Sequence, residues 1–168
     1  MNRKKFMMNT LGGFALISTS PISAALTLQK EPEPLKREMV KEFVIAGHFN
    51  LSKVKEMLHD HPNLIYAKHD WGNGDFEEAI EGAGHKGNKE VANYLIEKGA
   101  RVNLFILTML GKTMLVKSIL EEFPGLLFSK GTHGLTLLHH AEIGGEESKE
   151  LADYFQMKGL KEKSFKLR

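Results

Sequence analysis

The chain contains no cysteine among its 168 residues. Disulfide bonds are therefore excluded, and any exported domain must be held together by packing alone. Proline is also scarce, at five residues, and no low-complexity tract is present, which argues against general disorder. Apolar residues make up 42% of the chain and charged residues 26%, as expected for one globular domain with appendages.

The N-terminal segment differs in character from the rest of the chain. Arg3, Lys4 and Lys5 precede a mostly apolar stretch over residues 6–22, and Ser23-Ala24-Ala25 follows it. This order is typical of a secretory signal peptide, so residues 1–25 are predicted to be removed by cleavage after Ala25. A cytosolic amphipathic or disordered leader is the alternative. The apolar stretch is too short and too interrupted to predict a membrane span.

The export route is left open by the residues that precede the apolar stretch. Residues 2–8, NRKKFMM, resemble a twin-arginine signal in which Lys4 replaces the second arginine. We therefore expect an exported, periplasmic protein that uses either the twin-arginine or the general secretory route. A lipid anchor at the cleavage point is excluded because it requires a cysteine.

The remainder of the chain has no excess of positive charge. Without the three basic residues of the leader, the chain has 20 basic and 21 acidic side chains, a net charge of −1. A domain that binds nucleic acid needs a basic stripe, so we expect no nucleic-acid partner. We also expect no membrane association after signal removal, and a monomer.

Helical patterning defines the limits of the folded domain. Residues 26–36 contain Pro32 and Pro34 among charges and predict an exposed linker. The domain is expected over residues 37–160, and residues 161–168 form a charged tail that we expect to be frayed.

The clearest unit within the domain is the segment from Glu78 to Asn103. A first short helix with small residues ends at Gly87, and Asn88 is placed to cap a second helix. The apolar residues of that second helix recur at intervals of three and four, which gives it a single apolar face. Such a unit cannot bury its own apolar face, so neighbouring units are required.

Three further units of this kind can be read along the chain. They begin near residues 37, 104 and 133, and glycines at 87, 111 and 145 end successive first helices. Residues 54–68 also align without a gap with residues 116–130, an offset of 62, so the units form two related pairs. In the fourth unit, residues 133–141 read HGLTLLHHA. The turn-rich HDWGNGDF at residues 69–76 predicts a hairpin before the second unit.

These motifs resemble those of the ankyrin repeat, whose signature G.TPLH.A is matched by residues 134–141 except for Leu137 in place of proline. The resemblance covers about residues 37–159. It implies an all-α fold, an ankyrin-repeat solenoid of about four helix–turn–helix units with short β-hairpin or loop fingers. It also implies that His139 ties adjacent units together, and that the protein binds another protein through its concave face and fingers.

The expected function is accordingly non-enzymatic binding of an unidentified protein partner in the periplasm. The predicted binding surface combines the first finger, the helix end in the second unit and the start of the fourth unit. Its residues are Trp71, Asp75, Phe76, His85, His133 and His140. We expect no catalytic residue, no cofactor and no metal.

A metal-binding protein or small hydrolase is the alternative function. It would use His85, His133 and His140 with Asp75, since imidazole and carboxylate groups are ligands for zinc and also act as acids and bases. Nothing in the sequence places these groups around one pocket. A second group of histidines, His59, His61 and His69, is expected to lie in solvated loops.

Overall fold

The computed structural model describes residues 32–167. The predicted signal peptide and residues 26–31 of the predicted linker lie outside the described residues. Residues 32–36 are exposed and have no regular structure, and from Pro34 onward the described chain forms one compact unit. Within it are eight α-helices and two short strands, which confirms the all-α class. None of the described helices combines the length and apolar character needed to cross a bilayer.

The elements follow one another in helix pairs, with a hairpin between the first two pairs. Their bounds are α1 Arg37–Phe49, α2 Leu51–Asp60, β1 Lys68–Asp70, β2 Phe76–Glu78, α3 Ala79–Lys86, α4 Lys89–Glu97, α5 Leu104–Met109, α6 Thr113–Glu122, α7 Leu137–Ile143 and α8 Lys149–Met157.

The helix pairs stack side by side in two layers. Within each pair the two helices pack together, as α1 does on α2 and α7 on α8. The first helices form a row in which α1 contacts α3, α3 contacts α5, and α5 contacts α7. Each pair therefore buries its apolar face against its neighbours, as the sequence requires.

Side-chain caps begin the helices where the sequence predicts them. The side-chain oxygen of Asn50 accepts a hydrogen bond of 3.0 Å from the backbone N–H of Lys53, and Asn88 caps α4 in the same way through Val91 at 3.1 Å. A cap of this kind satisfies one of the unpaired N–H groups at a helix start. The cap predicted at Asn88 is confirmed, and Asn50 caps α2 in the same way.

Small residues allow the first helices to approach closely. A Cβ atom on Gly84 would lie 2.3 Å from the Cδ1 atom of Ile106, so α3 and α5 could not pack as they do with a larger residue there. Gly87 ends α3 at φ +69°, a left-handed conformation that glycine adopts without steric cost.

The 62-residue relationship is also visible in three dimensions. A cavity of about 360 Å³ between α2 and α4 is lined by Leu58, Pro62 and Tyr94 among others. An equivalent cavity of about 300 Å³ between α6 and α8 is lined by Leu120, Pro124 and Tyr154. Lysine side chains lie over both tyrosine rings. The two halves of the domain therefore repeat the same packing.

The predicted finger is a two-stranded antiparallel hairpin. Asp70 pairs with Phe76, and Lys68 pairs with Glu78. Residues 72–74 of the connecting turn all have positive φ angles, as expected for the sequence Gly-Asn-Gly. The hairpin leads directly into α3.

The C-terminal tail is ordered by backbone pairing, so the expectation of a frayed tail is wrong. The N–H of Thr136 donates to the carbonyl of Lys163 at 3.0 Å, and the N–H of Phe165 donates to the carbonyl of Gly134 at 2.8 Å. Leu160 is fully buried before the tail begins. The tail thus pairs like a strand with the start of the fourth unit. Its charged side chains gave no indication of this pairing in the sequence.

Candidate functional site

Three histidines surround one buried carboxylate where the hairpin meets the row of first helices. His48 lies at the end of α1, Glu77 in β2, His85 in the last turn of α3, and His133 in the turn before α7. One nitrogen or oxygen atom from each residue lies within 4.8 Å of the other three. The four residues, named here the Glu77 cluster, come from three of the four helical units and the finger.

Glu77 is at the centre of this cluster and is completely buried. Its Oε1 atom lies 3.4 Å from Nε2 of His48 and 3.2 Å from Nδ1 of His85. Its Oε2 atom accepts a hydrogen bond of 2.6 Å from the indole N–H of Trp71 and lies 3.7 Å from Nε2 of His133. Successive side chains of a strand point to opposite faces, so Glu77 points inward while Phe76 points outward.

Two of the histidines are oriented by hydrogen bonds outside the cluster. Nδ1 of His48 donates to the carbonyl of Val44 at 2.9 Å, and Nδ1 of His133 donates to a carboxylate oxygen of Asp75 at 2.6 Å. A carbonyl or carboxylate oxygen accepts only, so the proton of each ring lies on Nδ1 when the ring is neutral. Nε2 of each ring then carries a lone pair on the side of Glu77.

Two buried atoms in the cluster have no hydrogen-bond partner among the described residues. They are Oε1 of Glu77 and Nδ1 of His85. A buried polar atom without a partner costs about 1–3 kcal/mol, and more when it is charged. The fold therefore carries an energetic cost at this point that is not found at other side chains of the described residues.

Burial also determines the protonation of the cluster. It raises the pKa of the Glu77 carboxyl to about 7, against a lowering effect of the Trp71 hydrogen bond. Burial lowers the pKa of His85 to about 3, and nearby His48 and His133 add to that lowering. The pKa of His48 is lowered chiefly by burial as well. At neutral pH, His85 and His48 are thus neutral rings with lone pairs.

The arrangement offers three nitrogen donors and one carboxylate. Such a set can share a proton between the carboxyl and an imidazole, or can hold a transition-metal ion. Solvent reaches the cluster at His133, whose side chain is 36% exposed.

The structure brings together some of the predicted site residues and separates others. Asp75, His85 and His133 meet at the Glu77 cluster, and Trp71 joins them through Glu77. Phe76 lies on the other face of the hairpin and is 52% exposed. These positions place the first finger beside the start of the fourth unit, as the sequence suggested.

His140 does not belong to this group. It is buried in α7, where its Nδ1 donates to the carbonyl of Thr136 at 2.8 Å and its ring packs on Phe105. His85 is also buried, so neither histidine contributes a side chain to an exposed surface, contrary to the prediction. Both residues sit on the inner side of a first helix, where neighbouring helices cover them.

Two members of the cluster, His48 and Glu77, are absent from the predicted set. His48 has the local pattern of a helix end, and Glu77 reads as one acid among several in the finger. His48 could have been recognised from the stacking of the first two units. That stacking packs α1 against α3 and brings the helix ends at His48 and His85 next to each other.

The other histidines have separate roles. Nε2 of His139 hydrogen-bonds the carbonyl of His85 at 3.0 Å, which ties the fourth unit to the second, whereas the resemblance implied a bond between adjacent units. His59 and His61 are exposed, as expected, but His59 lies in the last turn of α2 rather than in a loop. His69 is buried against Trp71, with ring centroids 4.5 Å apart, so the prediction of a solvated side chain is wrong there.

An open groove lies on the other side of the hairpin. It has a volume of about 240 Å³, and its walls include Phe76, Phe105, Lys130 and Leu167. The hydroxyl of Thr132 donates to the carbonyl of Phe76 at 3.5 Å across one end of it. The groove thus joins the finger to the fourth unit and to the C-terminal tail.

Comparison of the chain with protein families, with curated proteins and with solved structures finds no match.

Proposed function

We propose that this chain is an ankyrin-type repeat protein that acts by binding another protein, without catalysis, in the periplasm. The observation that carries the proposal is the row of four first helices with a hairpin finger at one side. Stacked helix pairs of this kind create an extended surface whose shape is suited to a protein partner. The periplasmic location and monomeric state rest on the sequence.

The surface proposed for the partner is the groove beside the finger. Phe76 supplies an exposed aromatic ring, and Phe105 and Leu167 supply apolar walls. Aromatic side chains in a partly enclosed site commonly contribute most of the affinity of a protein interface. Asp75 also lines the groove, and its bonds to His133 hold the finger to the fourth unit. Trp71 is partly exposed in the turn of the finger.

Affinity capture from a periplasmic extract tests the proposal. The bait is the tagged protein, compared with the variant Phe76→Ser and with the matched control Phe123→Ser. Phe123 is similarly exposed, at 59%, but lies at the end of α6, away from the groove. We expect the wild type and Phe123→Ser to retain the same protein in stoichiometric amount.

With that protein purified, Phe76→Ser should weaken binding by about 30-fold, as expected for a central aromatic residue. Failure to recover a stoichiometric partner over a range of salt concentrations would count against the binding function. Equal affinity of the Phe76→Ser and Phe123→Ser variants would count against this groove as the binding surface.

A further inference from the structure

We propose that His48, Glu77, His85 and His133 form a binding site for one divalent transition-metal ion, for which Zn²⁺ is the best fit. The site departs from the sequence-based expectation of no metal. It is independent of the protein-binding function proposed above.

The spacing of the metal-binding atoms fits a tetrahedral zinc ion. Zinc bonds to nitrogen and oxygen ligands are about 2.0–2.1 Å long, so the ligands of a tetrahedral ion lie about 3.3 Å from one another. Oε1 of Glu77 lies 3.2 Å from Nδ1 of His85 and 3.4 Å from Nε2 of His48. These two separations match edges of that tetrahedron, and one donor atom from each of the four residues lies within 4.8 Å of the other three.

Two of these donor atoms also have no hydrogen-bond partner among the described residues. Oε1 of Glu77 and Nδ1 of His85 belong to side chains that are 0% and 5% exposed, and neither atom has a hydrogen bond within the described chain. The two atoms lie 3.2 Å apart but are not in hydrogen-bonding geometry. A cation between them would satisfy both and would remove the cost of burying them unpaired.

Hydrogen bonds from neighbouring groups hold most of the metal-binding side chains in place. Metal-bound histidines almost always donate their other N–H to a carboxylate or a backbone carbonyl. His133 does so to Asp75, and His48 does so to the carbonyl of Val44. The second oxygen of Glu77 is engaged by Trp71 in the same manner. Three of the four donors are therefore already oriented.

The identity of the ion follows from the donor set. Three imidazoles and one carboxylate suit zinc and neighbouring transition metals better than calcium or magnesium, which prefer oxygen ligands. The chain offers no thiolate, so a resident transition metal must rely on histidine and carboxylate groups. Once the ion has displaced any proton from Glu77, the carboxylates of Glu77 and Asp75 balance the charge of a divalent ion.

The role of the ion follows from the number and origin of its ligands. Four protein ligands complete a tetrahedral shell, which is typical of structural sites rather than catalytic ones. These ligands come from α1, the finger, α3 and the turn before α7. A bound ion would thus connect the finger to three helical units. The partly exposed His133 would be the last ligand to bind the ion.

Zinc titration of the full chain, stripped of metal with a chelator, tests the proposal. We expect one Zn²⁺ per chain with a Kd below about 1 µM, and a rise in Tm of at least about 5 °C on loading. Co²⁺ in the same site should give the intense visible absorption of a tetrahedral complex. Glu77→Gln should weaken zinc binding at least about 100-fold, and His133→Gln at least about 10-fold.

The double variant His59→Gln/His61→Gln is the matched control, because it removes two exposed histidines outside the cluster. It should bind zinc as the wild type does. Should Glu77→Gln fail to fold, as judged by circular dichroism, the half-exposed His133→Gln decides the matter.

Two results would overturn the proposal. One is the absence of zinc binding tighter than about 10 µM in the wild type. The other is wild-type affinity in His133→Gln together with loss of binding in the double variant. Neither result bears on capture of a protein partner by the groove beside Phe76.

Discussion

Asp75 and His133 lie 58 positions apart in the chain and are joined by two hydrogen bonds. The backbone N–H of His133 donates to Oδ1 of Asp75 at 2.8 Å, and its ring Nδ1 donates to Oδ2 at 2.6 Å. His133 has φ +59°, a conformation that residues other than glycine rarely adopt. The carboxylate of the finger therefore holds both the backbone and the ring of His133 in place.

Replacing Asp75 by asparagine should loosen this connection. An amide cannot accept two hydrogen bonds with a full negative charge, so we expect a loss of about 2 kcal/mol in the free energy of unfolding. Zinc affinity should fall by about 10–100-fold, because His133 loses its orienting partner. Urea denaturation and zinc competition measure the two effects.

The control for this variant is Asp153→Asn, since Asp153 is an exposed carboxylate on α8. It should change neither quantity appreciably. Equal behaviour of the two variants would show that the bonds between the finger and the fourth unit do not contribute to stability.

Leucine truncations test the helix packing. Leu58 on α2 and Leu120 on α6 are both buried, and shortening either to alanine should cost about 2–5 kcal/mol of unfolding free energy. Leu115 is also on α6 but is 52% exposed, so Leu115→Ala should cost much less. Thermal unfolding of the three variants makes the comparison. An unchanged Tm for Leu120→Ala would mean that the inward face of α6 is assigned incorrectly.

Two glycines with left-handed backbones provide a matched pair. Gly87 and Gly145 have φ +69° and +71°, so alanine should cost each about 1 kcal/mol through backbone strain. At Gly87 the new Cβ would also lie 2.7 Å from the carbonyl oxygen of Ile143, whereas at Gly145 it meets nothing within 4 Å. Gly87→Ala should therefore be the more destabilising by at least about 1 kcal/mol. Equal denaturation midpoints would contradict the close approach at Gly87.

The buried His140 should make stability depend on pH. Burial lowers its pKa to about 4 in the folded protein, from an ordinary value of 6.5. The unfolded chain therefore binds more protons between pH 6.5 and pH 4, and stability falls as the pH falls through that range. The shifted pKa of His140 contributes about 3 kcal/mol to the free energy of unfolding. This contribution is fully present above pH 6.5 and is lost as the pH falls to 4 and below.

The variant His140→Gln isolates this contribution, because glutamine does not titrate and can still donate to the carbonyl of Thr136. Urea denaturation at a series of pH values should show a steeper loss for the wild type than for the variant below pH 6.5. Parallel curves would mean that His140 is not neutral in the folded protein.

The parts of the fold that could be predicted from the sequence are those set by a few neighbouring residues. Asn50 and Asn88 cap helices through neighbouring backbone groups, and Gly87 ends a helix through its own conformation, so three or four residues suffice to recognise each feature. The hairpin at residues 68–78 follows in the same way from its glycine-rich turn. The repetition of the helix pairs then predicts the stacking of one unit on the next.

The candidate site depends on contacts between distant segments, and local patterns do not reveal them. Glu77 is buried only because α1, α3 and the turn at His133 close around it, and nothing in the residues beside it marks it as buried. Likewise, the sequence could not show that His140 points away from His133 and Asp75. The order of the C-terminal tail depends on backbone pairing with residues 134–136, which its charged side chains do not predict.

Anomalous diffraction at the zinc absorption edge decides whether the Glu77 cluster holds a metal ion. Crystals of the full chain would be grown with one equivalent of Zn²⁺. The proposed site predicts one strong anomalous peak within bonding distance, about 2.0–2.2 Å, of His48 Nε2, Glu77 Oε1, His85 Nδ1 and His133 Nε2. A strong peak beside His59 and His61, with none at Glu77, would contradict it.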